Sequence, residues 1–455
     1  MPANRRERLV SSAKRHIITV DKVVVGGQGL ARLADGMVVM VPFVLPGETV
    51  EVALGRQHKG YASATLLEVI DPSPARIEPL CPHFGGCGGC DLQHADYQGQ
   101  LAIKSAILDE LAARAGIGAD GALLAPVLPS PDAFHYRQRI RLQIDTDGRL
   151  GFFARRSHAV IEVEACPLAV RPLNQALAEA RRLPGFHHLV TQASAMELLL
   201  NPASSRVVVM LQLRRKPRPA DQQAALALAA GSEVIQSVWL TGDGFAASGP
   251  YCGDAACEHR DCGRIAFAAP DCRGGSLTMG FEAGGFCQVN LAQNERLLEQ
   301  VHALAQVGVE DSVLDLFCGM GNFSLPLATE SRRVFGSDLQ RSSIRAAQAN
   351  AAANQLANCL FLRADAQTAA RQLIAADEWF EVVLLDPPRQ GCREVLPLLP
   401  KLGSAKVLYI SCDPATLVRD ISDLQGLGYS LRHLRGVDMF PQTCHLEAIA
   451  LLVRE

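Results

Sequence analysis

The 455-residue chain contains no run of about 18 uncharged apolar residues, the length that a membrane-spanning helix requires. Its first twenty residues are charged and lack an apolar core, so we expect no secretory leader. Charge of one sign is not in excess, because 44 Lys and Arg residues oppose 47 Asp and Glu residues. These absences predict a globular cytoplasmic protein, and the charge balance by itself predicts no binding to nucleic acid.

Cysteine, by contrast, is abundant, with 14 residues in the chain. In a secreted protein such a count would indicate a disulfide framework, but no leader is expected here. In a reducing cytoplasm, cysteines more often bind metals or act as nucleophiles than form bridges. The count therefore predicts metal sites, thiol chemistry or both.

Residues 1–75 predict a small β-barrel. Five or so short β-branched segments between residues 15 and 70 are separated by glycine-bearing turns, a pattern typical of an OB-type barrel. Residues 1–60 contain nine Lys and Arg against five Asp and Glu. Two interpretations of this basic excess stay open: an ordinary solvated surface, or a domain that contacts a phosphate backbone.

A cysteine-rich loop opens the second predicted domain, residues 76–280, which consists mainly of strands. Glycines between Cys81, Cys87 and Cys90 allow the three sulfurs to converge, and Cys166 is the candidate fourth ligand. Four thiolates can hold zinc or a [4Fe–4S] cluster, and the spacing does not decide between them. A second cysteine group is either a zinc site or a hairpin of unpaired cysteines. It consists of Cys252, Cys257, Cys262 and Cys272, with His259 among them.

Residues 281–455 alternate strands and helices, which predicts a doubly wound α/β sheet. The turn at 317–322 places two glycines between a buried strand and a helix, so that backbone N–H groups can approach a ligand. Asp338, Asp365 and Asp386 end the next three strands and should line one crevice, although such acids can also be helix N-caps. A P-loop lysine motif is missing, so a nucleoside without a triphosphate fits better.

Four ordered motifs give this domain a specific resemblance. DLFCGMGNFSLPLA, LLDPPRQG, YISCDPATLVRD and DMFPQTCHLEAIALL resemble the RNA uracil-C5 methyltransferases that use S-adenosylmethionine, and the similarity extends over residues 281–455. The resemblance implies a class I, Rossmann-like methyltransferase fold. It also implies a set of cofactor contacts, namely Gln288, Phe317, Asn322, Asp338, Asp365 and Asp386. Family members often carry Glu where this chain has Asp338, but the shorter acid can still reach two hydroxyls.

The resemblance also implies two reacting residues. Uracil C5 is a poor nucleophile, so a thiolate must first add to C6 and push electron density onto C5. Cys412, after a buried strand, fits the nucleophile, and we expect the helix that follows to lower its pKa. Glu447 fits the base that removes the C5 proton, and His445 is less favoured because the family uses a carboxylate. The alternatives are a small buried cysteine and an acid at a strand edge.

The N-terminal half extends the resemblance. The CPHFGGCGGC loop with the distant Cys166 is similar to the iron–sulfur members of the family, which favours [4Fe–4S], and the barrel resembles the TRAM RNA-binding domain. The cysteine loop and the TRAM-like barrel together resemble the family members that methylate 23S rRNA, with U1939 as the expected target. The family members that act on transfer RNA generally lack both features. Five arginines could hold phosphates or form an ordinary charged face: Arg137, Arg139, Arg141, Arg155 and Arg156.

We expect a monomer that acts on single-stranded or loop RNA, because the target base must leave its stack to reach Cys412. Two other functions stay open: the same chemistry on another uridine of ribosomal or transfer RNA, and a non-catalytic iron–sulfur RNA-binding protein. A cytosine-C5 methyltransferase is a weaker alternative, because the Pro-Cys motif of those enzymes is missing.

Overall fold

A computed structural model describes residues 14–117, 123–253 and 262–454. The first five strands are β1 Arg15–Val24, β2 Gln28–Arg32, β3 Val38–Pro42, β4 Thr49–His58 and β5 Tyr61–Asp71. They close into a barrel in the order β1-β2-β3-β5-β4. Alternate side chains point inward, and small and β-branched residues such as Val39, Val41 and Val50 fill the interior. The predicted five-stranded barrel is confirmed.

The cysteine-rich loop and a long helix follow the barrel. Helix α1 spans Tyr97–Arg114. It begins at Asp96, whose carboxylate accepts a hydrogen bond from the backbone N–H of Gly99 over 2.6 Å. The next strand, β6, spans Leu123–Leu128.

The central part of the chain forms a second sheet. Its strands are β7 Arg139–Ile144, β8 Leu150–Phe153, β9 Val160–Glu162, β10 Ala193–Asn201, β11 Arg206–Leu213, β12 Ile235–Thr241 and β13 Ser248–Tyr251, in the order β13-β12-β11-β10-β7-β8-β9. Three helices pack against it, namely α2 Arg171–Ala180, α3 Pro184–Val190 and α4 Pro219–Ala230. A hairpin of β14 Arg264–Pro270 and β15 Ser276–Glu282 follows.

The C-terminal part has the predicted α/β alternation. Its strands are β16 Ser312–Asp315, β17 Arg333–Asp338, β18 Cys359–Arg363, β19 Val382–Leu385, β20 Lys406–Ser411, β21 Tyr429–Val437 and β22 Glu447–Arg454. Its helices are α5 Leu291–Ala305, α6 Ser324–Ala328, α7 Arg341–Ala353, α8 Ala366–Ala375, a 3-10 helix Leu396–Leu402 and α9 Pro414–Gln425. The sheet order is β18-β17-β16-β19-β20-β22-β21-β6, with the first five strands parallel.

Two hydrophobic cores cover the two faces of this sheet. Successive residues of its strands alternate between them, so that Val383 belongs to one core and Val382 and Leu384 to the other. Helices α1, α8 and α9 cover the first face, and α5, α6 and the β14–β15 hairpin cover the second. Strands β16, β19 and β20, in the centre of the sheet, are buried along almost their whole length, and β19 is a continuous apolar run.

Strand β6 is an unexpected member of this sheet. It pairs in parallel with β21 at the sheet edge, although it comes from the range predicted as the central domain. The alternation pattern of a single short segment does not specify its distant partner, so the sequence did not predict this pairing. The division into residues 1–75, 76–280 and 281–455 stays a prediction. Across the described residues, the helices are too short or too polar to cross a membrane.

Candidate active site

A glycine turn lies at the carboxyl end of β16. Gly319 and Gly321 have φ values of +54° and +90°, and a side chain at Gly321 would lie 2.9 Å from the Cγ atom of Leu325. The N–H group of Gly319 donates to Asp338 Oδ2 over 3.1 Å. The backbone at this turn is therefore open to a ligand, and an acid from the neighbouring strand lies beside it.

Asp315, the last residue of β16, supports the turn from below. It is fully buried and accepts hydrogen bonds from Ser324 Oγ at 2.6 Å and from the Phe317 N–H group at 3.3 Å. Burial raises the pKa of its carboxyl to about 7. The sequence interpretation treated this residue only as part of a buried strand. The sequence signal that could have identified Asp315 was an acidic residue at the end of an apolar strand that leads into a glycine turn.

Cys412, Asp386 and Glu447 converge beside this turn. Cys412 follows β20, Asp386 follows β19, and Glu447 opens the antiparallel strand β22, so all three lie at one edge of the sheet. Asp386 and Glu447 are close enough to Cys412 for their negative charges to act on its thiol. The predicted reacting residues are thus brought together, as expected from the carboxyl ends of neighbouring strands.

The net pKa of the Cys412 thiol is raised, so any lowering by the helix that follows does not prevail. Burial raises the pKa of the thiol, the carboxylates of Glu447 and Asp386 raise it further, and only Arg389 opposes them among the nearby side chains. The N-terminus of α9 is capped by Asp413, which accepts a hydrogen bond from the Thr416 N–H group over 2.9 Å. The Arg in DPPRQG was overlooked at the sequence level.

The two carboxyls differ in exposure, because Glu447 is buried and Asp386 is half-buried. Glu447 is 6% exposed, and its Oε2 atom has no hydrogen-bond partner. Burial raises the pKa of Glu447 to about 7. Burial also raises the pKa of Asp386 well above its ordinary value, and the negative charges of Glu447 and Asp315 add to the effect. The Glu447 carboxylate, with a pKa near neutrality and an oxygen that has no hydrogen-bond partner, is therefore suited to accept a proton from a bound molecule.

The other predicted cofactor residues lie around the same edge. Gln288 is buried just before α5, and Phe317 is half-buried in the turn. Asn322 exchanges two side-chain hydrogen bonds with Asn294 at 2.9 and 3.0 Å. Asp365 is an N-cap, the alternative that was left open.

The two carboxylate oxygens of Asp365 accept hydrogen bonds from the backbone N–H and the hydroxyl group of Thr368 at 2.8 and 2.7 Å. These bonds hold the pKa of the exposed Asp365 carboxyl below its ordinary value. The carboxylate therefore has local partners already, although it still lies at the end of β18. A role in cofactor binding stays a prediction for this residue.

The four cysteines of the first group line one cavity of about 350 Å³. All four, Cys81, Cys87, Cys90 and Cys166, are free thiols. Gln93 Nε2 donates to the Cys90 sulfur over 3.1 Å, and burial raises the pKa of Cys90 to about 12. No three of these four sulfurs, all within the described residues, lie within 4.8 Å of one another.

The cysteine loop is bonded to the segment that leads into Glu447. The N–H groups of Asp91 and Leu92 both donate to the carbonyl oxygen of Gln442 over 3.0 Å. The N–H group of Cys444 donates to Asp91 Oδ2 over 3.3 Å. The cysteine loop and the reacting edge are therefore one continuous structure.

The predicted arginine face is largely engaged within the protein. The Arg137 guanidinium lies 5.8 Å from the Tyr136 ring centroid and 5.7 Å from that of Phe440. Arg139 bonds to Glu197 and to the carbonyl oxygen of Gly285, and Arg141 bonds to Gln212. Arg155 pairs with Asp91 at 2.5 Å, while Arg155 and Arg156 also line a groove of about 530 Å³ against the barrel.

The second cysteine group is divided in the structure. Cys262 is disulfide-bonded, which removes it from a four-thiolate zinc site. Cys272 is a free thiol and lies against His302 and Glu330. Cys257 and His259 lie outside the described residues.

Comparison with known proteins agrees with this geometry. Residues 272–455 match the family described as tRNA (Uracil-5-)-methyltransferase. A Pectobacterium atrosepticum protein, 23S rRNA (uracil(1939)-C(5))-methyltransferase RlmD, is 34% identical, covering 99% of this chain and 97% of its own. Its Halomonas elongata counterpart of the same name is 35% identical, covering 98% and 91%.

A solved structure shows the same fold over nearly the whole chain. It is the Pyrococcus abyssi tRNA (uracil-54, C5)-methyltransferase in complex with S-adenosyl-L-homocysteine, with a TM-score of 0.70 and 23% identity. The match covers 96% of this chain and 100% of that one, and it shows a class I methyltransferase fold. From the identity and coverage of the curated relatives, the chain belongs to the S-adenosylmethionine-dependent RNA (uracil-C5)-methyltransferases of the RlmD type.

Proposed function

We propose that the enzyme methylates C5 of a specific uridine in 23S rRNA, U1939, through a covalent bond between Cys412 and C6 of the base. The meeting of Cys412, Asp386 and Glu447 beside the glycine turn carries the proposal. The names of the full-length relatives, which specify uracil 1939 of 23S rRNA, support the substrate.

The glycine turn and its acids fit S-adenosylmethionine. The open backbone at Gly319 and the carboxylate of Asp338 suit a nucleoside with free ribose hydroxyls. We assign the binding to the residues named from the sequence, which are Gln288, Phe317, Asn322, Asp338, Asp365 and Asp386. When bound, S-adenosylmethionine supplies an activated methyl group to a carbon nucleophile.

The chain's own residues make uracil C5 that nucleophile. Cys412 releases its proton to solvent and its sulfur adds to C6, which moves the C5–C6 electron pair onto C5 and the uracil carbonyl. After C5 has gained the methyl group, the Glu447 carboxylate takes the C5 proton. The electrons of that C–H bond restore the C5–C6 double bond, and the C6–sulfur bond breaks to return the thiolate. Asp386 positions the edge of the base.

The raised pKa values suit this sequence of proton transfers. A thiol that stays protonated in the resting enzyme is protected from oxidation, and Arg389 supplies the nearest positive charge when the thiolate forms. Glu447, with a pKa near 7, binds the C5 proton more strongly than an ordinary carboxylate. Both effects come from the shielding of one pocket from water.

Variants of the two reacting residues test the mechanism. Cys412→Ala should abolish methylation of a 23S rRNA fragment that contains U1939, while Glu447→Gln should accumulate a covalent enzyme–RNA adduct that survives denaturing electrophoresis. Cys359→Ser, a free thiol on the edge strand β18, is the matched control and should keep normal activity. Normal methylation by Cys412→Ala would disprove the covalent mechanism.

Mass spectrometry of rRNA from a deletion strain tests the substrate. Loss of a single methyl group at U1939 is expected. Loss of a methyl group at another uridine of ribosomal or transfer RNA would instead identify that uridine as the target of the same chemistry. An unchanged methylation pattern would instead favour the non-catalytic RNA-binding alternative. We propose that the protein acts in the cytoplasm, the compartment expected for its ribosomal RNA substrate.

We further propose that the cysteine cavity holds a [4Fe–4S] cluster. Four cysteines that line one cavity provide the four thiolates that such a cluster needs. The resemblance of the CPHFGGCGGC loop and the distant Cys166 to the iron–sulfur members of the family favours the cluster over zinc. The bonds from Asp91 and Leu92 to Gln442 give the cluster a structural role, since it would rigidify the loop that supports Glu447's segment.

Spectroscopy and metal analysis test the cluster. Anaerobically prepared protein should absorb broadly near about 400 nm and contain iron and sulfide. Cys90→Ser should lose this absorbance, whereas the control Cys359→Ser should keep it. A colourless protein with one zinc ion in the cavity would contradict the proposal.

RNA binding is proposed along the barrel groove. Arg155 and Arg156 line it together with Phe43, and the groove can accept a single strand whose target uridine is turned out toward Cys412. We propose that one copy of the chain carries all of these sites and acts as a monomer. Sedimentation of the enzyme with and without the RNA fragment would test the stoichiometry.

A further inference from the structure

A third group of metal-ligand side chains lies away from both sites. Cys272 belongs to the turn between β14 and β15, His302 to the last turn of α5, and Glu330 to the loop between α6 and β17. One ligand atom from each, the sulfur, an imidazole nitrogen and a carboxylate oxygen, lies within 4.8 Å of the other two. Three separate elements therefore present three different donors to one point.

The backbone around each donor is fixed. Asp271 Oδ1 accepts from the N–H groups of Arg273 and Gly275 at 2.9 and 2.6 Å, which holds the turn that carries Cys272. His302 Nε2 lies 3.0 Å from Glu330 Oε2, and their side chains are 38% and 31% exposed. The sulfur is partly buried against the core of the sheet. An ion can therefore reach the three donors from solvent.

The donor set selects the metal. Magnesium and calcium take oxygen ligands, whereas one thiolate, one imidazole and one carboxylate suit zinc. Zinc bonds of about 2.0–2.3 Å bring tetrahedral ligands to about 3.5 Å from one another. The sulfur would therefore approach the other two donors from at most 4.8 Å to about 3.5 Å, and His302 Nε2 and Glu330 Oε2, now 3.0 Å apart, would move slightly apart. Rotation of the half-exposed His302 and Glu330 side chains allows both movements. Water would complete the fourth position.

We propose that Cys272, His302 and Glu330 bind a Zn²⁺ ion that fastens the β14–β15 hairpin to the catalytic domain. Glu330 precedes the first residue of β17, whereas Asp338 ends the same strand at the reacting edge. The site therefore lies at the opposite edge of the sheet from Cys412, and its ion stabilises the fold without touching the substrate. The hairpin contributes Phe267, Met279 and Phe281 to the core that the ion would secure.

Zinc content of the full-length protein tests the site. After anaerobic reconstitution with iron and sulfide, removal of loose metal and equilibration with zinc, wild type should hold one zinc equivalent more than Cys272→Ser. The control Cys359→Ser should match wild type. With cobalt as the probe, the sulfur-to-cobalt absorption band should be missing from Cys272→Ser only.

The effect of zinc on stability provides the second readout. Zinc should raise the Tm of wild type and of Cys359→Ser but leave that of Cys272→Ser unchanged, while methylation per folded molecule stays equal. Glu330→Gln keeps the size of the side chain and should lose zinc as well, so it decides the case if Cys272→Ser folds poorly. Equal zinc content in wild type, Cys272→Ser and Glu330→Gln would overturn the proposal.

Discussion

Lys104 Nζ donates to Asp438 Oδ1 over 2.5 Å, and both side chains are completely shielded from solvent. Lys104 also donates to the carbonyl oxygen of Phe440 over 3.1 Å, and Tyr97 donates to Asp438 Oδ2 over 3.0 Å. Helix α1 is thereby bonded to the segment that leads into Glu447. Burial lowers the pKa of Lys104, and the attraction of Asp438 opposes that shift.

Removal of one partner of this buried pair should be costly. In Lys104→Met the Asp438 carboxylate stays buried without its cation, so we expect a loss of about 3–5 kcal/mol in the free energy of unfolding. Denaturant unfolding measures the loss. Asp438→Asn added to Lys104→Met should recover part of it, because the unpaired charge is then gone.

The surface pair between Lys22 and Glu110 is the matched control. Its nitrogen–oxygen distance is 2.6 Å, but the side chains are 41% and 26% exposed. Lys22→Met should therefore change the free energy of unfolding by at most about 1 kcal/mol. Equal losses of unfolding free energy in Lys22→Met and Lys104→Met would show that burial does not increase the contribution of the Lys104–Asp438 pair to stability.

The reaction rate should rise with pH through neutrality. Glu447 must be ionised to remove the C5 proton, and its pKa is about 7. Single-turnover methylation should therefore increase between about pH 6 and 8. The raised pKa of Cys412 should extend the increase to higher pH.

Adduct formation by Glu447→Gln separates the two groups. Glutamine does not titrate, so the step near pH 7 should be missing from the rate at which this variant forms its adduct, while the rise at higher pH remains. A wild-type rate that is flat or falling between about pH 6 and 8 would contradict the assignment of Glu447 as the base.

The same carboxyl should make folding stability depend on pH. Because its pKa is raised from 4.5 to about 7 in the folded state, the folded protein binds this proton more tightly than the unfolded chain. The resulting stabilisation is complete below about pH 4.5 and is lost as the pH rises through about 7.

Glu447→Gln should remove this dependence. Between about pH 5 and 8, wild type should lose roughly 2 kcal/mol more of its free energy of unfolding than the variant does. Denaturant unfolding at the two pH values gives the difference. A larger loss in the variant would reverse the sign and refute the raised pKa.

The two glycines of the turn should respond differently to alanine. At Gly321, φ is +90° and the new Cβ would lie 2.9 Å from Leu325, so Gly321→Ala should lower the Tm. At Gly319, φ is +54° and the Cβ meets open space, so the cost to stability should be about 1 kcal/mol. The open space is where the cofactor is proposed to bind.

Gly319→Ala should therefore weaken S-adenosylmethionine binding by about tenfold, equivalent to 1.4 kcal/mol, with only a small change in Tm. Calorimetric titration and thermal unfolding separate the two effects. Unchanged affinity in Gly319→Ala would place the cofactor elsewhere.

Sequence patterns predicted the parts of the molecule that local chemistry determines. The barrel follows from strand alternation and turn glycines, and the meeting of Cys412 with Asp386 follows from their positions at the ends of parallel strands. The local sequence did not predict the raised pKa of Cys412, because that shift comes from burial and from carboxylates on other elements. The engagement of Arg137 by two aromatic rings likewise depends on distant segments.

The edge position of β6 has a consequence for the order of folding. Arg435 of β21 donates to the carbonyl oxygen of Pro126 in β6, a residue 309 positions earlier in the chain. During synthesis, β6 must remain without its partner until β21 has been made, and closing so long a loop is slow. Until then the apolar segment is open to wrong pairing. The edge of the catalytic sheet is thus among the last parts of the fold to form.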